Sequence, residues 1–479
     1  MGNNSIREKG IENFHRLERF KDLDILLNRI DDSQFVLLGE SSHGTSEFYK
    51  WRTEITKRLI NEKGFSFIAV EGDWPDCYKV NRYIKGFPES GKNAYDVLYS
   101  FNRWPTWMWA NKEMIELVEW LKLYNDKQQE QEQKNNSITS NFNGKIVGFY
   151  GLDLYSLWES MEAIIQYLKK VDPNTIKDAI EAYNCFEPYK KNVENYARAT
   201  AFVPENCEDE VIEMLSSLRR RVNVYSKRDK GNREEEYFNA EQNAITAKDA
   251  ELYYRTMIKG DVNSWNIRDT HMMETLERLI EFYGEGNSKA IVWAHNTHIG
   301  DARATDMSKD NTINLGQLVR ERKNSNNTVL VGFGTYNGSV IAAKRWGDKM
   351  EEMKVPPAIS ESWDYILHNI KIDSTIASSY TNNNNKLIIF SHTDDDISNK
   401  IKHENDNSSN KINNGKWTGQ RAIGVVYNPQ YEKYGNYVPT ILPLRYDAFL
   451  FIDETHALHP LHMPTIDDED FPETFPTGV

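Results

Sequence analysis

Acidic and histidine residues recur just after short apolar runs at four places in the chain. These residues are Glu40, His43, Glu71, Asp73, Asp153, His295 and His298. A histidine flanked by carboxylates can be held in one tautomer, take a proton from water and direct that water onto a carbonyl carbon. Its unperturbed pKa of roughly 6.5 suits this task. The pattern therefore indicates hydrolysis with a histidine as general base, and Arg52 lies in the following helix, where it can pair with one of the acids.

The same cluster permits a second chemistry, in which its histidines and carboxylates bind a divalent metal that acidifies the water. The spacings ExxH and HNTH differ from HExxH, which places two ligands on adjacent helical turns. No cysteine lies within these motifs. We therefore predict no metal and no other cofactor, although the residue types allow a metal.

Nucleophilic catalysis is disfavoured by the local motifs. Ser41 and Ser42 lie in GESSHG and not in a GxSxG elbow, and Cys77 in WPDCYK is predicted to be a buried thiol. The phosphate-binding patterns GxxxxGK[ST] and GxGxxG do not occur.

The apolar runs are predicted to be buried strands of a parallel sheet. Phe35–Leu38 and Phe65–Val70 flank an amphipathic helix that ends at Gly64, so we expect two adjacent parallel strands with Glu40 and Glu71 at one edge. Open α/β sheets bind ligands at the carboxyl ends of their strands. The acids and histidines should therefore line one crevice.

Later segments repeat this layout loosely. Further strands are predicted at Ile146–Tyr150, Ala290–Ala294, Ala422–Tyr427 and Ala448–Ile452, and a helix at Ile11–Ile30 precedes the first strand. The predicted fold is α/β, with a mostly parallel central sheet built from two loosely repeated strand-helix-strand halves.

Three regions follow from the pattern. Residues 1–156 form the first half of the α/β core, residues 157–284 form a helical insertion, and residues 285–479 form the second half. The second half contains a polar tract at residues 380–416, interrupted only by Leu387–Phe390 and expected to be mostly surface loop, and an extended tail at residues 467–479. A further polar loop is predicted at residues 126–145.

The composition of the chain argues against several classes of binding partner. The net charge of -14, without a basic cluster, argues against nucleic acid or an anionic membrane surface. No apolar run approaches the roughly 20 residues of a membrane span. Three scattered cysteines predict no disulfide framework and favour the cytoplasm. A small molecule is the expected partner, and the oligomeric state is not indicated.

Three tryptophans, at positions 104, 107 and 109, lie in RWPTWMWANKEM. Two interpretations remain open, namely a packed core beneath a loop and a wall of the substrate pocket. We predict substrate contacts from the strand ends, this segment and the start of the last inserted helix. These contacts are Asp73, Trp74, Trp107, Trp109, Asp153 and Arg268.

Seven segments together resemble the motifs of the erythromycin esterase family. They are GESSHGTSEFYKWR, VEGDW, WMWANKEM, GLDLYSLWESM, NIRDTHMMETL, WAHNTHIGD and RAIGVVYNP, and they span most of the chain. The resemblance implies an α/β core with helical insertions and a deep cleft, and metal-free hydrolysis of the macrolactone ester of macrolide antibiotics in the best-known members. Other members are linked to succinoglycan biosynthesis.

Matched motif by motif, the resemblance makes His43 the general base for water. Glu40, Arg52, Glu71, His295 and His298 would surround it. Our own hypothesis adds that Glu71 and Glu40 hold the imidazole and that Arg52 or His298 stabilises the oxyanion. The expected substrate is a small-molecule ester or lactone, and macrolide resistance is a possible consequence. A non-catalytic binding protein for a polyketide or saccharide is the alternative from another class, although binding alone does not require these histidines and carboxylates.

Overall fold

The computed structural model describes residues 13–134, 146–189, 193–202, 207–220, 233–257, 263–371, 384–390 and 417–461. Of the predicted polar tract at 380–416, residues 384–390 are described, and the remainder, which includes His392, lies outside these ranges, as does the predicted tail at 467–479. Most of the predicted loop at 126–145 also lies outside the described ranges. The prediction of a loop is wrong for residues 126–134, because the helix Lys112–Lys134 continues through them.

The strands are β1 (Asn13–Arg16), β2 (Phe35–Leu38), β3 (Phe67–Asp73), β4 (Gly148–Asp153), β5 (Ala290–Trp293), β6 (Thr328–Ala342), β7 (Glu351–Val355), β8 (Lys386–Ile389), β9 (Thr418–Arg421), β10 (Tyr437–Thr440) and β11 (Ala448–Thr455). Nine of them form one sheet in the order β1-β8-β11-β6-β2-β5-β3-β4, with β7 paired to β6. From β11 to β4 all neighbours are parallel. The predicted α/β class with a mostly parallel sheet is confirmed.

The helices are α1 (Asp24–Ile30), α2 (Ser46–Lys63), α3 (Trp74–Ile84), α4 (Ala94–Tyr99), α5 (Lys112–Lys134), α6 (Leu157–Val171), α7 (Ile176–Tyr183), α8 (Val193–Phe202), α9 (Glu208–Arg220), α10 (Arg233–Met257), α11 (Asn263–Tyr283), α12 (Asn296–Ile299), α13 (Leu315–Lys323), α14 (Trp363–Asn369), α15 (Glu432–Gly435) and α16 (Leu442–Arg445). None of the helices in the described ranges is long and apolar enough to cross a membrane.

Apolar side chains cover both faces of the parallel strands, which explains their continuous apolar runs. In β2, Val36 and Leu38 pack into one core cluster, whereas Phe35 and Leu37 pack into a second cluster on the opposite face. All four side chains are fully buried. Polar residues are therefore displaced to the strand ends, where the predicted crevice lies.

The expected adjacency of the first two parallel strands is wrong. β5 lies between β2 and β3 and pairs with both, with Leu38 and Val70 each opposite Trp293. The loop that follows β5 therefore emerges between the ends of β2 and β3. Its histidines are inserted between Glu40 and Glu71 and do not face them from a separate half.

Two other predicted elements differ. Residues 11–12 lie outside the described ranges, and the rest of the predicted helix Ile11–Ile30 contains strand β1, a 3-10 turn at Phe20–Leu23 and only then α1. β1 is extended because it pairs with β8 at the sheet edge. The strand predicted at Ala422–Tyr427 is also wrong, since β9 precedes it and the segment makes only isolated bridges.

Helices α6 to α10, which lie between β4 and β5 in the sequence, pack together around a separate apolar cluster. Glu235 of this region joins it to the sheet, because Lys85 Nζ, Tyr150 OH and Asn81 Nδ2 all donate to Glu235 Oε1, at 2.6, 2.6 and 2.7 Å. Paired and buried charges of this kind hold two elements in one position.

A disulfide joins Cys185 to Cys207 within this helical region, with a Cα–Cα distance of 5.8 Å, while Cys77 is buried and free. One bond is not a disulfide framework. It nevertheless weakens the argument that linked the cysteine count to a reducing compartment.

The loop that carries His43 is held by backbone hydrogen bonds from distant segments. Ile341 and Leu458 donate to the Gly44 carbonyl at 3.0 and 2.9 Å, and Ile423 donates to the Ser41 carbonyl at 2.8 Å. A Cβ atom on Gly44 would lie 1.9 Å from the Ile341 carbonyl oxygen, closer than any real contact. Glycine is therefore required for this close approach.

We predict that Gly44→Ala lowers the free energy of unfolding by roughly 1–3 kcal/mol, because the backbone of β6 must move to admit the methyl group. Gly286→Ala is the matched control, since nothing lies within 4 Å of its added Cβ, and it should change stability by less than about 0.5 kcal/mol. Urea denaturation of both variants measures the difference. Equal stability of the two would contradict the close approach.

Candidate active site

A cavity that is partly open to solvent lies at the carboxyl edge of the parallel strands. His43 reaches it from the loop after β2, Asp73 and Asp153 from the ends of β3 and β4, and Arg268 from the first turns of α11. Glu71, within β3, also lines it. The strand-end placement predicted from the sequence thus collects these side chains around one space.

His43 is positioned by a chain of buried partners. Its Nδ1 lies 3.0 Å from Glu40 Oε1, and Arg52 Nη2 donates to Glu40 Oε2 at 2.6 Å. An ionised carboxylate only accepts hydrogen bonds, so Nδ1 carries the hydrogen and donates it to Glu40. Nε2 is the ring nitrogen left for the cavity, which is the arrangement of a general base held by a carboxylate.

Arg52 supports the His43–Glu40 pair from the side away from the cavity. Its side chain is fully buried, stacks over the Tyr49 and Trp293 rings at 4.4 and 4.6 Å, and does not line the cavity. The guanidinium neutralises Glu40 where water cannot. The pairing of Arg52 with an acid agrees with its position in α2, one side of which packs on the sheet.

Glu71 is the most heavily shared carboxylate of the site. Arg268 Nη2 donates to its Oε1 at 2.7 Å, and the His295 backbone N–H donates to its Oε2 at 2.8 Å. Burial alone would raise the pKa of Glu71, but His298, Arg268 and His43 outweigh it and hold that pKa well below its ordinary value. Glu71 is therefore a permanent anion.

His298 is held as a cation by two carboxylates. Its Nδ1 lies 3.0 Å from Asp269, and its Nε2 lies 3.3 Å from Glu71 Oε1. Burial would lower the pKa of His298, but Asp269 and Glu71 prevail and raise it to about 9. The Trp265 ring stacks on the imidazole at 4.6 Å, which suits a cation. Both ring nitrogens then donate, and His298 supports Glu71 from outside the cavity lining.

His295 is neutral, in contrast. Burial and the nearby His43 lower its pKa well below the ordinary value, and the two imidazole centroids are 4.8 Å apart. The Thr297 backbone N–H and hydroxyl both lie against His295 Nδ1, at 3.3 and 2.8 Å, so Nδ1 accepts and Nε2 carries the hydrogen. His295 Nε2 has no hydrogen-bond partner among the residues that the structure describes.

Arg268 is a cation on the cavity wall. It donates to Asp153 through Nε and Nη2, at 3.0 and 2.7 Å, and its guanidinium lies 4.8 Å from the centre of the Tyr155 ring. Its Nη1 lies 3.0 Å from His298 Nε2, but a cationic His298 accepts no hydrogen bond, so Nη1 does not donate to this nitrogen. Arg268 was predicted to contact substrate, and it is placed on the cavity wall.

Some of the tryptophans line the cavity, and others are buried in the core, so each of the two interpretations applies to part of the set. Trp109 lines the cavity and donates to the Glu71 carbonyl at 3.2 Å, and half-buried Trp104 lines it beside Trp346. Trp107 is fully buried in the core. Trp74 is buried on the opposite face of the sheet, where it donates to Asn239. Trp74 and Trp107, both predicted to contact substrate, are therefore outside the cavity lining.

Several cavity residues were missed or given little weight at the level of sequence. Arg103 pairs with Asp73, and Tyr155 and Trp346 form walls. The motif NIRDTHMM did contain a signal, since Asp269 follows Arg268 directly, but the pairing of Asp269 with His298 is a contact between α11 and α12. Trp346 lies on the loop between β6 and β7, for which no local motif exists.

The side chains of the cluster are not arranged as ligands of a metal ion. No group of three or more histidine, cysteine, aspartate and glutamate side chains in the described ranges is arranged to hold a metal ion. The ring nitrogens and carboxylates of this cluster are directed at one another and at arginines. Whether activity depends on a metal is a matter for chelation.

We predict that His298 makes stability depend on alkaline pH. A group whose pKa is raised on folding stabilises the fold fully below its unfolded pKa, about 6.5, and this stabilisation is lost as pH rises through about 9. At about 1.4 kcal/mol per pKa unit, the rise corresponds to about 3 kcal/mol. Urea unfolding at pH 6, 8 and 10 should show the difference between the parent protein and His298→Asn shrinking with pH. A difference that does not change with pH would contradict a cationic His298.

Comparisons with known proteins agree with this architecture. A family model described as erythromycin esterase matches residues 60–455, beginning after the segment that holds His43. The Bacillus subtilis (strain 168) protein named "Putative hydrolase YbfO" is 24% identical over 373 residues, covering 71% of this chain and 72% of its own.

Solved structures share the fold. A Bacillus cereus protein has a TM-score of 0.69 at 19% identity, covering 96% of this chain and 100% of its own. A succinoglycan biosynthesis protein has a TM-score of 0.65 at 21% identity, with coverages of 95% and 98%. A histidine-to-asparagine mutant of the erythromycin esterase EreC, in its open conformation, has a TM-score of 0.61 at 14% identity, with coverages of 93% and 98%. With more than half of its length matched by the family model, the chain belongs to the erythromycin esterase family.

Proposed function

We propose that the protein hydrolyses a carboxylic ester or macrolactone with water activated by His43. The observation that carries the proposal is the chain Arg52–Glu40–His43, in which Nδ1 is fixed by Glu40 and Nε2 is left for the cavity. A base held in one tautomer by a carboxylate accepts a proton without reorienting. Pure binding of a ligand does not require such an arrangement.

The reaction begins with proton transfer from water to His43 Nε2. The water oxygen forms a bond to the carbonyl carbon, and the carbonyl oxygen becomes an oxyanion. Arg52 and His298 lie outside the cavity lining, so Arg268, which lies on the cavity wall, is the better placed cation to stabilise this charge. Collapse of the intermediate breaks the bond to the alcohol oxygen, which then requires a proton.

Glu71 and His298 keep Arg268 in place during this sequence. Glu71 shares Oε1 between Arg268 and His298, and Asp153 holds the other edge of the guanidinium. The cation is therefore oriented before the substrate arrives, as electrostatic stabilisation of a transition state requires.

Family membership supports an ester or lactone as the substrate, and macrolides are the first compounds to test, with macrolide resistance as the consequence if they are hydrolysed. The aromatic wall of Trp104, Trp109 and Tyr155 suits a large organic substrate with apolar faces. A cytoplasmic location, predicted from the cysteine count, stays a prediction.

We expect His43→Ala to lower ester or lactone hydrolysis by at least about a hundredfold, because the proton acceptor is lost. The measurement is turnover of a macrolide panel and a general ester library, with thermal unfolding to verify the fold. His368→Ala is a matched control, since His368 Nδ1 is also held by a carboxylate, Asp453 at 2.7 Å, but lies outside the cavity lining. A folded His43→Ala protein with full activity would refute this mechanism.

We also expect activity to survive incubation with EDTA and removal of the chelator, because His43 itself activates the water. Elemental analysis of the same samples determines whether any metal was removed. Loss of activity together with a stoichiometric metal, and recovery on adding that metal back, would instead support a metal-dependent hydrolase. Failure of the whole ester panel, together with tight binding of a polyketide or saccharide, would support the non-catalytic alternative.

A further inference from the structure

Two carboxyl groups in the cavity occupy paired positions but have different partners. Asp73 and Asp153 are opposite one another in the β3–β4 ladder, and both line the cavity. Arg268 binds both oxygens of Asp153. Arg103, in contrast, contacts only Oδ2 of Asp73, through Nε at 2.6 Å and through Nη2. Asp73 Oδ1 is buried and has no hydrogen-bond partner among the described residues.

A buried carboxylate oxygen without a donor is unfavourable, and a second carboxylate nearby makes it more so. A proton on Oδ1 removes the negative charge, and with it the cost of burying that charge and the repulsion from the second carboxylate. Burial raises the pKa of Asp73 to about 7, assisted by Asp153 and Asp76 and opposed by Arg103. The other titratable groups facing Asp73, the Cys77 thiol and the Tyr254 hydroxyl, both have raised pKa values and are neutral at this pH.

The distribution of charge around the cavity agrees with this assignment. Its lining contains four carboxyl groups, those of Glu71, Asp73, Asp76 and Asp153, but only two guanidinium groups. Asp76 is paired with Lys79 at 2.7 Å, while Glu71 and Asp153 share Arg268. Among the described residues, Asp73 is thus the lining carboxyl group with a buried oxygen that lacks a donor, and a proton on it relieves the excess of negative charge.

We propose that Asp73 is the catalytic acid of this site, donating its proton to the oxygen of the departing alcohol. The inference rests on the hydrolysis proposed above and assigns the step that His43 does not perform. His43 and Asp73 are both on the cavity lining, so one cavity holds a base for the attacking water and an acid for the leaving group.

The step balances without a further reactant. Water gives one proton to His43 Nε2 and its oxygen bonds to the carbonyl carbon. The bond from that carbon to the alcohol oxygen breaks with its electron pair, and this oxygen takes the proton of Asp73. Arg103 then stabilises the Asp73 carboxylate that forms. His43 releases a proton to solvent and Asp73 recovers one, so that the enzyme is unchanged.

This role makes a specific demand on the leaving group. An alkoxide is strongly basic and departs poorly without a proton, whereas p-nitrophenolate is stable as an anion and needs none. The test therefore uses two esters with the same acyl group, a p-nitrophenyl ester and an alkyl ester. We expect Asp73→Asn to lower kcat/KM for the alkyl ester by at least about a hundredfold and to leave the p-nitrophenyl ester within a fewfold of the parent.

Asp76→Asn is the matched control, because it neutralises another carboxyl group of the same cavity. It should change both esters by the same factor. Equal losses for the two esters in Asp73→Asn would show that Asp73 only positions other groups, and would overturn the assignment. Hydrolysis of neither ester by the parent protein would overturn the proposed function and this inference together, so the two failures are distinguishable.

A second measurement needs no variant and covers the case in which Asp73→Asn does not fold. An acid acts only while protonated, so the parent's rate on the alkyl ester should fall as pH rises through about 7, relative to its rate on the p-nitrophenyl ester. The p-nitrophenyl profile serves as the reference for titration of the base. Identical pH profiles for the two esters would overturn the proposal.

Discussion

The ion pairs of one buried carboxylate, Glu71, connect three separate parts of the chain. Glu71 belongs to β3, Arg268 and Asp269 to the start of α11, and His295 and His298 to the loop and short helix after β5. The Glu71 oxygens accept from the Arg268 side chain and from the His295 backbone, and one of them also faces the His298 ring. In a buried site such charges must be paired. The helical region between β4 and β5 is thereby held against the sheet at the cavity.

The same constraint gives the histidines different charges. His298 lies between two carboxylates and is a cation, whereas His295 lies beside His43 and accepts hydrogen bonds from Thr297, so it is neutral. His43 has a single carboxylate, Glu40, whose charge is already balanced by Arg52. Three histidines near one sheet edge therefore have three electrostatic environments. Only His43 combines a fixed tautomer with a place on the cavity lining.

The carboxyl groups of the cavity also differ in the hydrogen-bond donors that surround them. Glu71 and Asp153 are satisfied by Arg268, which lies on the cavity wall, while Asp73 keeps an oxygen without a donor among the described residues. Hydrolysis of an ester needs a group that accepts a proton and a group that supplies one. Unequal sharing of a few arginines among many acids is a simple way to obtain both from similar side chains.

The sequence by itself determined which elements exist at the cavity and which residue types they deliver. Continuous apolar runs predict β2, β3 and β5 because both faces of a parallel sheet are covered, and polar residues must then collect at the strand ends. This reasoning, together with the family motifs, predicts Glu40, His43, Glu71, Asp73, Asp153, Arg268 and the two later histidines as site residues.

Only the tertiary structure decided how these parts are arranged. It placed β5 between β2 and β3, assigned Trp109 to the cavity wall and Trp107 to the core, and joined Cys185 to Cys207. It also decided which acid receives a full set of donors and which histidine is charged. The physical reason is that periodicity and local motifs report contacts within an element, whereas strand order, burial and pKa depend on partners far away in the chain, such as Arg268 for Glu71 and Asp269 for His298.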